Sequence, residues 1–590
     1  MKNKLPKIIC LLLAITLSFC VTGCNKKGST KKPKKSASKS NSSVLDSAYS
    51  NEPIIDDEED EIVEPEEDEE DEAVTYEVLP VQNGSTPINS NFGGFGGVQM
   101  SFAYLPDGSG ANRLPMEQWQ AQMEYDRIAG SMRVGRIRTL YGPGMVWNYQ
   151  QQKFEWDPEK NAALKGFYKG VEEWQKRGVE VVFSPVWALS CLLANRGDWK
   201  NTNPKTVDYT TFVGCGITEG DDYEKTLKNF RKFVCDTVLN FKANGIHNAK
   251  YLTAFTECNL SYQYISAPEG TAPLPEDATA RQKRHYDILC EKYAEAVKAL
   301  DAGLRDSGLR SSYKIVGPCD NFAGDFEYTD PEQYSILTKY TLENLSDYVD
   351  IIGTHQYSKG NDYSESLFYE NIETTLGKTV QMAKAKGKEI WLDEYNATLN
   401  GDNKFAKLMI IQDNPIRGIA QAATHLGVLN SGFDHAMLWA LSDVQWPNTR
   451  DTVEFQSGLQ AGGLLRSPLV STVPYKSWYA ISLITRYTGA GTVYQAEQGS
   501  DLYISCVKRN DGHYTVIMVN YNVEDIPVQV QFEKGLGRKT FYRHTYNSGD
   551  VVATTQAKII GVSRIVKNVS RNIHDTLPGY SVTVYTTDPS

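Results

Sequence analysis

Two textures alternate along most of this chain. Short apolar runs end in polar or aromatic residues, and longer amphipathic stretches of helical spacing separate them. The first run is reached through Asn91-Phe-Gly-Gly-Phe-Gly-Gly97, with glycines placed where backbones approach closely. The next runs are Arg133–Arg138, Val179–Ser184, a run from Tyr251 ending at Glu257, and Lys314–Gly317. They continue with Val349–Gly353, a run from Lys388 ending at Glu394, and Ala436–Trp439. Between them lie helical stretches: Pro115–Gly130, Asn161–Gly178, Asp222–Gly245, Ala278–Gly308, Asp330–Leu345, Glu365–Gly387 and Pro415–Gly432. Proline or a capping residue opens several of these, and glycine closes most. A long loop, Leu189–Asp221, interrupts the rhythm.

Strands alternating with helices predict a parallel sheet, and eight repeats predict its closure into a (β/α)8 TIM barrel. Polar groups follow strands two to eight, as at the mouth of a barrel; a doubly wound open sheet would not usually place so many there. After Trp446 the texture changes. A short helix, Tyr475–Tyr487, precedes brief alternating strands at Leu502–Lys508, Tyr514–Asn520, Val528–Phe532 and Tyr580–Tyr585, with an Asn510-Asp-Gly512 turn. This predicts a C-terminal all-β sandwich, joined by an early strand near Val74–Val81. The expected domains are 91–467 for the α/β barrel and 468–590 for the sandwich, with 74–90 belonging to the latter.

The first 73 residues are different. Lys2, Lys4 and Lys7 precede an apolar run, Ile8–Phe19, too short to span a bilayer comfortably. It closes on Val21-Thr-Gly-Cys24, which resembles a bacterial lipoprotein signal. That resemblance implies a signal peptide over 1–23, lipid on Cys24, and an extracytoplasmic protein anchored to the cell membrane. Residues 24–73 are Lys/Ser-rich, then Asp/Glu-rich, and read as a disordered tether. Net charge is −12 over 590 residues, which argues against a nucleic-acid partner. Seven scattered cysteines remain after Cys24, without C-x-x-C or Cys/His spacing, so no zinc site is indicated. Cys191 and Cys215 lie in one loop and are close enough in sequence to pair. Gly-x-Ser-x-Gly, His-Glu-x-x-His and Walker patterns are absent.

Glu257 and Glu394 end the fourth and seventh runs, so a barrel would bring both to its mouth. Two carboxylates about 5 Å apart cleave a glycosidic bond with retention: one protonates the leaving oxygen and the other attacks the anomeric carbon. Neither a metal nor a cofactor is required. Trp187, Tyr262, Tyr357, Trp439 and Trp446 offer aromatic platforms for sugar rings. Asp393, beside Glu394, should point to the other side of its strand. His435 should lie at the bottom of the barrel, away from the chemistry.

These motifs resemble family 39 glycoside hydrolases, the β-xylosidase and α-L-iduronidase group, within the clan of retaining barrel glycosidases. Ala254-Phe-Thr-Glu-Cys-Asn-Leu260 looks like that family's acid/base segment, which gives Glu257 that role. Ile390-Trp-Leu-Asp-Glu-Tyr-Asn396 looks like its nucleophile segment, with Glu394 attacking. By the same resemblance Tyr357 touches the nucleophile, His355 lines the site, Trp439 floors a sugar subsite and Arg138 supports the nucleophile. Trp187, Thr256, Asn259 and Asp443 complete the expected substrate contacts. The chain departs from the clan at Thr256, where an Asn usually bonds the sugar 2-hydroxyl, and at Cys258, where a Pro is usual. The implied activity is that of a surface retaining glycosidase on poly- or oligosaccharides. The rival is a carbohydrate-binding lipoprotein whose barrel has lost catalysis. Thr256 favours the rival, and retention of both glutamates favours the enzyme.

Overall fold

The computed structural model describes residues 74–99, 118–140, 146–148, 151, 153–184, 223–253, 255–259, 278–321, 335–365, 367–399, 412–445, 459–460, 462–467 and 470–590. The signal, the tether, Cys24, Trp187, Tyr262, Trp446 and the Cys191 and Cys215 pair lie outside them.

The described chain opens with β1 (Glu77–Val81), β2 (Asn89–Phe92) and β3 (Phe95–Val98). Helix α1 (Gln118–Tyr125) runs into a π-helical turn, and β4 (Arg136–Leu140) follows. A small hairpin, β5 (Trp147–Asn148) and β6 (Lys153–Phe154), precedes α2 (Ala162–Lys176) and β7 (Glu180–Ser184). Then come α3 (Tyr223–Ala243), β8 (Ala249–Thr253), α4 (Ala278–Asp306), β9 (Lys314–Asn321) and α5 (Ile336–Asn344). β10 (Ile351–Gly360), α6 (Leu367–Ala385), β11 (Glu389–Leu399), α7 (Ile416–Ser431) and β12 (His435–Leu438) complete this part. A second hairpin, β13 (Val444–Gln445) and β14 (Leu459–Gln460), leads to α8 (Ser477–Thr488). The remaining strands are β15 (Gly491–Tyr494), β16 (Leu502–Arg509), β17 (Tyr514–Asn520), β18 (Ile526–Phe532), β19 (Lys539–Asn547), β20 (Arg564–Val569), β21 (Asn572–Leu577) and β22 (Ser581–Thr586).

Eight strands close into a parallel barrel in the order β3-β4-β7-β8-β9-β10-β11-β12. Helix boundaries follow local chemistry. The Asn161 side chain accepts the Leu164 amide at 3.1 Å and starts α2. Gly178, at φ 70°, ends the same helix in the left-handed conformation that glycine adopts without a Cβ penalty. β9 and β11 are buried almost continuously; their N-terminal halves are mainly apolar, as strands covered on both faces require, and polar residues enter toward their C-terminal ends. Val182, Val316, Cys319, Ile351, Trp391 and Met437 fill the barrel interior. Each such side chain contributes about 1.5–3 kcal/mol by leaving water. Below them the Arg136 guanidinium lies 4.4 Å from the Tyr251 ring and 4.6 Å from that of Trp391. His435 is buried, edge-on to Trp391. The glycine-rich approach to β3 has a steric cause: a Cβ on Gly96 would come 2.5 Å from the Arg136 carbonyl.

The C-terminal strands form a seven-stranded antiparallel sheet, β2-β15-β16-β17-β22-β19-β20, and a three-stranded sheet, β1-β18-β21. β1 runs parallel to β18, and Leu79, Val81, Val516, Met518, Val528 and Val530 share one core between the sheets. Both early strands, β1 and β2, therefore complete sheets whose other members come from the end of the chain. Barrel and sheets belong to one unit, Tyr76–Ser590. Among the described residues no helix is long and apolar enough to cross a membrane.

The strand limits differ from the sequence pattern where it matters most. β8 stops at Thr253, so Glu257 sits past the strand at φ 50°. β10 and β11 run on beyond the expected run ends, so His355, Tyr357 and Glu394 lie within strands. The β10/β11 ladder pairs Thr354 with Leu392 but His355 with Glu394, leaving Asp393 as an extra residue. Such a bulge re-aims side chains. Asp393 accordingly does not point away from the barrel: it is fully buried beside Arg138 and His355.

Candidate active site

Six of the expected residues meet at the C-terminal ends of the barrel strands. Arg138 from β4 is wholly buried and acts as the hub. Its Nη1 donates to Glu394 Oε2 at 3.1 Å and to the Asp393 carbonyl at 2.9 Å, and its Nη2 donates to Thr256 Oγ1 at 2.7 Å. The Tyr357 hydroxyl donates to the other oxygen of Glu394. His355, on the same strand as Tyr357, stands between the two glutamates. Its Nδ1 is 3.0 Å from Glu257 Oε1 and 3.6 Å from Glu394 Oε2. One carboxylate oxygen of each glutamate and a His355 ring nitrogen all lie within 4.8 Å of one another.

Burial and charge set the protonation of this cluster. Burial works against a charge on His355, but Glu394, Asp393 and Glu257 outweigh it and raise its pKa to about 10. Burial raises Glu394, and the charge of Glu257 adds to this, against the pull of His355, Arg138 and Tyr357. Burial also acts on Glu257, but the bonds to His355 and Asn321 outweigh it and its pKa is lowered. Of the two carboxylates, Glu394 is thus the more basic. Burial and the charge of Glu394 push the Tyr357 phenol well above its ordinary value, so it remains a donor.

The other expected residues do different work. Asn259 is buried and ties its loop to β9: Nδ2 donates to the Asn321 carbonyl at 2.7 Å, and Oδ1 accepts the Asn321 amide at 3.1 Å. Asp443 was expected to touch substrate. Instead its carboxylate is buried and accepts the amides of Gly462 and Gly463, each at 3.1 Å, and the Tyr475 hydroxyl at 2.9 Å. It clamps a loop. Trp439 is half-buried at the end of β12, and its carbonyl accepts from Asn396, two residues after Glu394. Thr256 is turned toward protein: besides Arg138, its hydroxyl lies 2.5 Å from that of Ser184.

Three participants lack an obvious sequence signal. Asn321 Nδ2 donates to Glu257 Oε1 at 2.8 Å. Its position just after an apolar run is the one hint. Ser184, at the end of β7, holds Thr256. Asp393 is brought in by the bulge. Glu257, His355 and Glu394 could in principle ligate a metal, with Asp393 behind the imidazole as such sites require. The guanidinium 3.1 Å from Glu394 and the charge carried by His355 both oppose a cation there.

No protein-family model matches the chain, and no curated protein matches it in sequence. Solved structures do match in fold. An endoxylanase of glycoside hydrolase family 30 from Clostridium papyrosolvens is 14% identical, with a TM-score of 0.51 over 86% of this chain and 99% of that one. An α-L-arabinofuranosidase from Thermotoga maritima, in an arabinose complex, is 14% identical, with a TM-score of 0.53 over 87% and 99%. SrfJ from Salmonella typhimurium is 12% identical, with a TM-score of 0.53 over 87% and 93%. At these identities the likeness concerns the fold alone, and these names do not single out family 39.

Proposed function

We propose that this chain is a retaining O-glycoside hydrolase acting on poly- or oligosaccharides, built as a (β/α)8 barrel with a β-sandwich. The observation that carries the reading is the approach of the two carboxylates to within 4.8 Å. That spacing suits direct attack by one of them and leaves too little room for the water of an inverting site. Likeness in fold to an endoxylanase and an α-L-arabinofuranosidase supports it.

Glu394 is the nucleophile. Arg138 and Tyr357 grip its two oxygens and aim it at the anomeric carbon. Glu257 is the acid/base: it gives its proton to the leaving oxygen, then takes one from the water that releases the glycosyl-enzyme. As Glu257 becomes an anion, Asn321 and the charged His355 stabilise it. The productive form has its proton on Glu257, the less basic of the pair, so it is the less favoured of the two singly protonated forms. That order is the specific observation favouring a second reading, in which the two glutamates exchange roles. In both readings Trp439 is the sugar platform, and lipid on Cys24 and the 24–73 tether hold the enzyme extracytoplasmically at the cell membrane.

Incubation with a panel of aryl glycosides and oligosaccharides is the test. Turnover with the first-formed product keeping its anomeric configuration, abolished by Glu394→Gln, is the expected result. Trapping with a 2-fluoroglycoside and peptide mapping then assigns the roles: label on Glu394 supports the first reading and label on Glu257 the second. Binding without turnover across the panel would leave a carbohydrate-binding protein instead.

A further inference from the structure

A buried carboxylate is costly unless its charge is met, and Asp393 meets its charge in an unusual way. The bulge at β11 turns it inward, directly behind the residues that hold the two glutamates. It is fully buried. Its Oδ2 lies 3.6 Å from Arg138 Nη1 and 3.5 Å from His355 Nε2, at ion-pair rather than close hydrogen-bond distances. Space for it is specific: a Cβ on Gly353 would come 2.9 Å from Asp393 Oδ1 and 2.9 Å from Cys319 Sγ. Nothing in packing alone calls for a carboxylate here, because the layer below is apolar.

We propose that Asp393 is a positioning residue: a third carboxylate that holds the imidazole of His355 from behind, so that the ring presents its Nδ1 to Glu257 and Glu394. This rests on the glycosidase reading of those two residues. Every charged group facing the ring takes part. Arg138 comes from β4, with Nη1 3.2 Å from the same Nε2 that Asp393 approaches, Glu257 from the segment after β8, and Asp393 and Glu394 from β11. The neighbouring titratable groups are Cys319 on β9 and Tyr357 on the ring's own strand. Two cations, Arg138 and His355, face three carboxylates. When Glu257 carries the proton that the reaction needs, two cations face two anions, and the cluster is balanced. Without the charge on Asp393 the same state has one anion for two cations, and the imidazole is the group that can respond by losing its proton.

The test is Asp393→Asn, nearly equal in shape, read by imidazole NMR with His355 assigned from His355→Gln. In the native protein His355 should stay charged to about pH 9, and in Asp393→Asn it should titrate at least about one unit lower. kcat/KM should fall about 100-fold with KM changing less than about threefold. In a His355→Gln background Asp393→Asn should cost little more, since the carboxylate acts through the ring. Equal His355 titration in both proteins, or fully additive losses, would overturn the proposal. If Asp393→Asn does not fold, the native protein decides: a His355 titrating near its ordinary value of about 6.5 overturns the proposal. A native protein inactive on every glycoside sinks the catalytic reading, whereas the NMR comparison still decides the role of Asp393.

Discussion

Replacing Tyr357 by phenylalanine removes one hydroxyl and tests which carboxylate attacks. That hydroxyl donates to Glu394 Oε1, and the ring is otherwise kept. A hydrogen bond to a charged group is worth about 1.5–3 kcal/mol. Tyr357 is half-buried, so water replaces part of the bond and the lower figure applies. At about 1.4 kcal/mol per pKa unit, Glu394 rises by about one unit. Glu394 is the more basic of the pair, while the productive form needs the proton on Glu257. Raising Glu394 by one unit makes that form about tenfold scarcer between the two limbs of the pH profile. kcat/KM should therefore fall about tenfold across the plateau, and the basic limb should move up by about one unit. The assay is kcat/KM against pH with a glycoside whose leaving group needs protonation. If Glu394 were the acid, the same rise would extend the basic limb and leave the plateau unchanged. A plateau within about twofold of native, with only the basic limb displaced, refutes Glu394 as nucleophile. Displacement of the acid limb alone refutes the stated order of the pair.

Thr256→Val deletes the hydroxyl between Arg138 and Ser184 and leaves a buried guanidinium N–H unpaired. At about 1–3 kcal/mol for such a group, kcat/KM should fall about tenfold, while Thr256→Ser stays near native. The rate ratio between a glycoside and its 2-deoxy counterpart should not change, because this hydroxyl faces protein; a collapse of that ratio would restore Thr256 as a sugar contact. Asp443→Ala releases two loop amides and the Tyr475 hydroxyl, and should cost about 3 kcal/mol in denaturant unfolding with little change in the shape of the pH profile. Cys24→Ala should move the protein from the membrane fraction to the soluble extracytoplasmic fraction with unchanged kcat, and persistence at the membrane would refute the lipid anchor.

Alternation of apolar runs with helical stretches is enough to predict the closed parallel barrel, because both faces of each strand must be apolar and each crossover must be long. The meeting of Glu257, Glu394, Arg138, His355 and Tyr357 follows from the same logic: residues at one end of the strands share one mouth. Two kinds of information do not survive in a linear pattern. One is whether a polar group at a strand end faces the opening or the protein. Asp443 and Thr256 have the residue types of contacts, yet their partners, Gly462, Gly463 and Ser184, are remote in sequence or unremarkable in kind. The other is register. Side chains alternate along a strand, so Asp393 next to Glu394 should face away from it. A single unpaired residue reverses that rule, and its only mark is in the backbone ladder, where Thr354 meets Leu392 and His355 meets Glu394. No residue type announces such a bulge. Its effect is nonetheless large, since it adds a third, fully buried carboxylate to a site otherwise described by two. A sequence that carries Asp393 without the bulge would point the same carboxylate into the packing between barrel and helices. Its burial there without cations would not be tolerated. The bulge and the acid therefore have to be read together, and the chemistry attributed to Glu257 and Glu394 depends on a backbone irregularity as much as on their own identities.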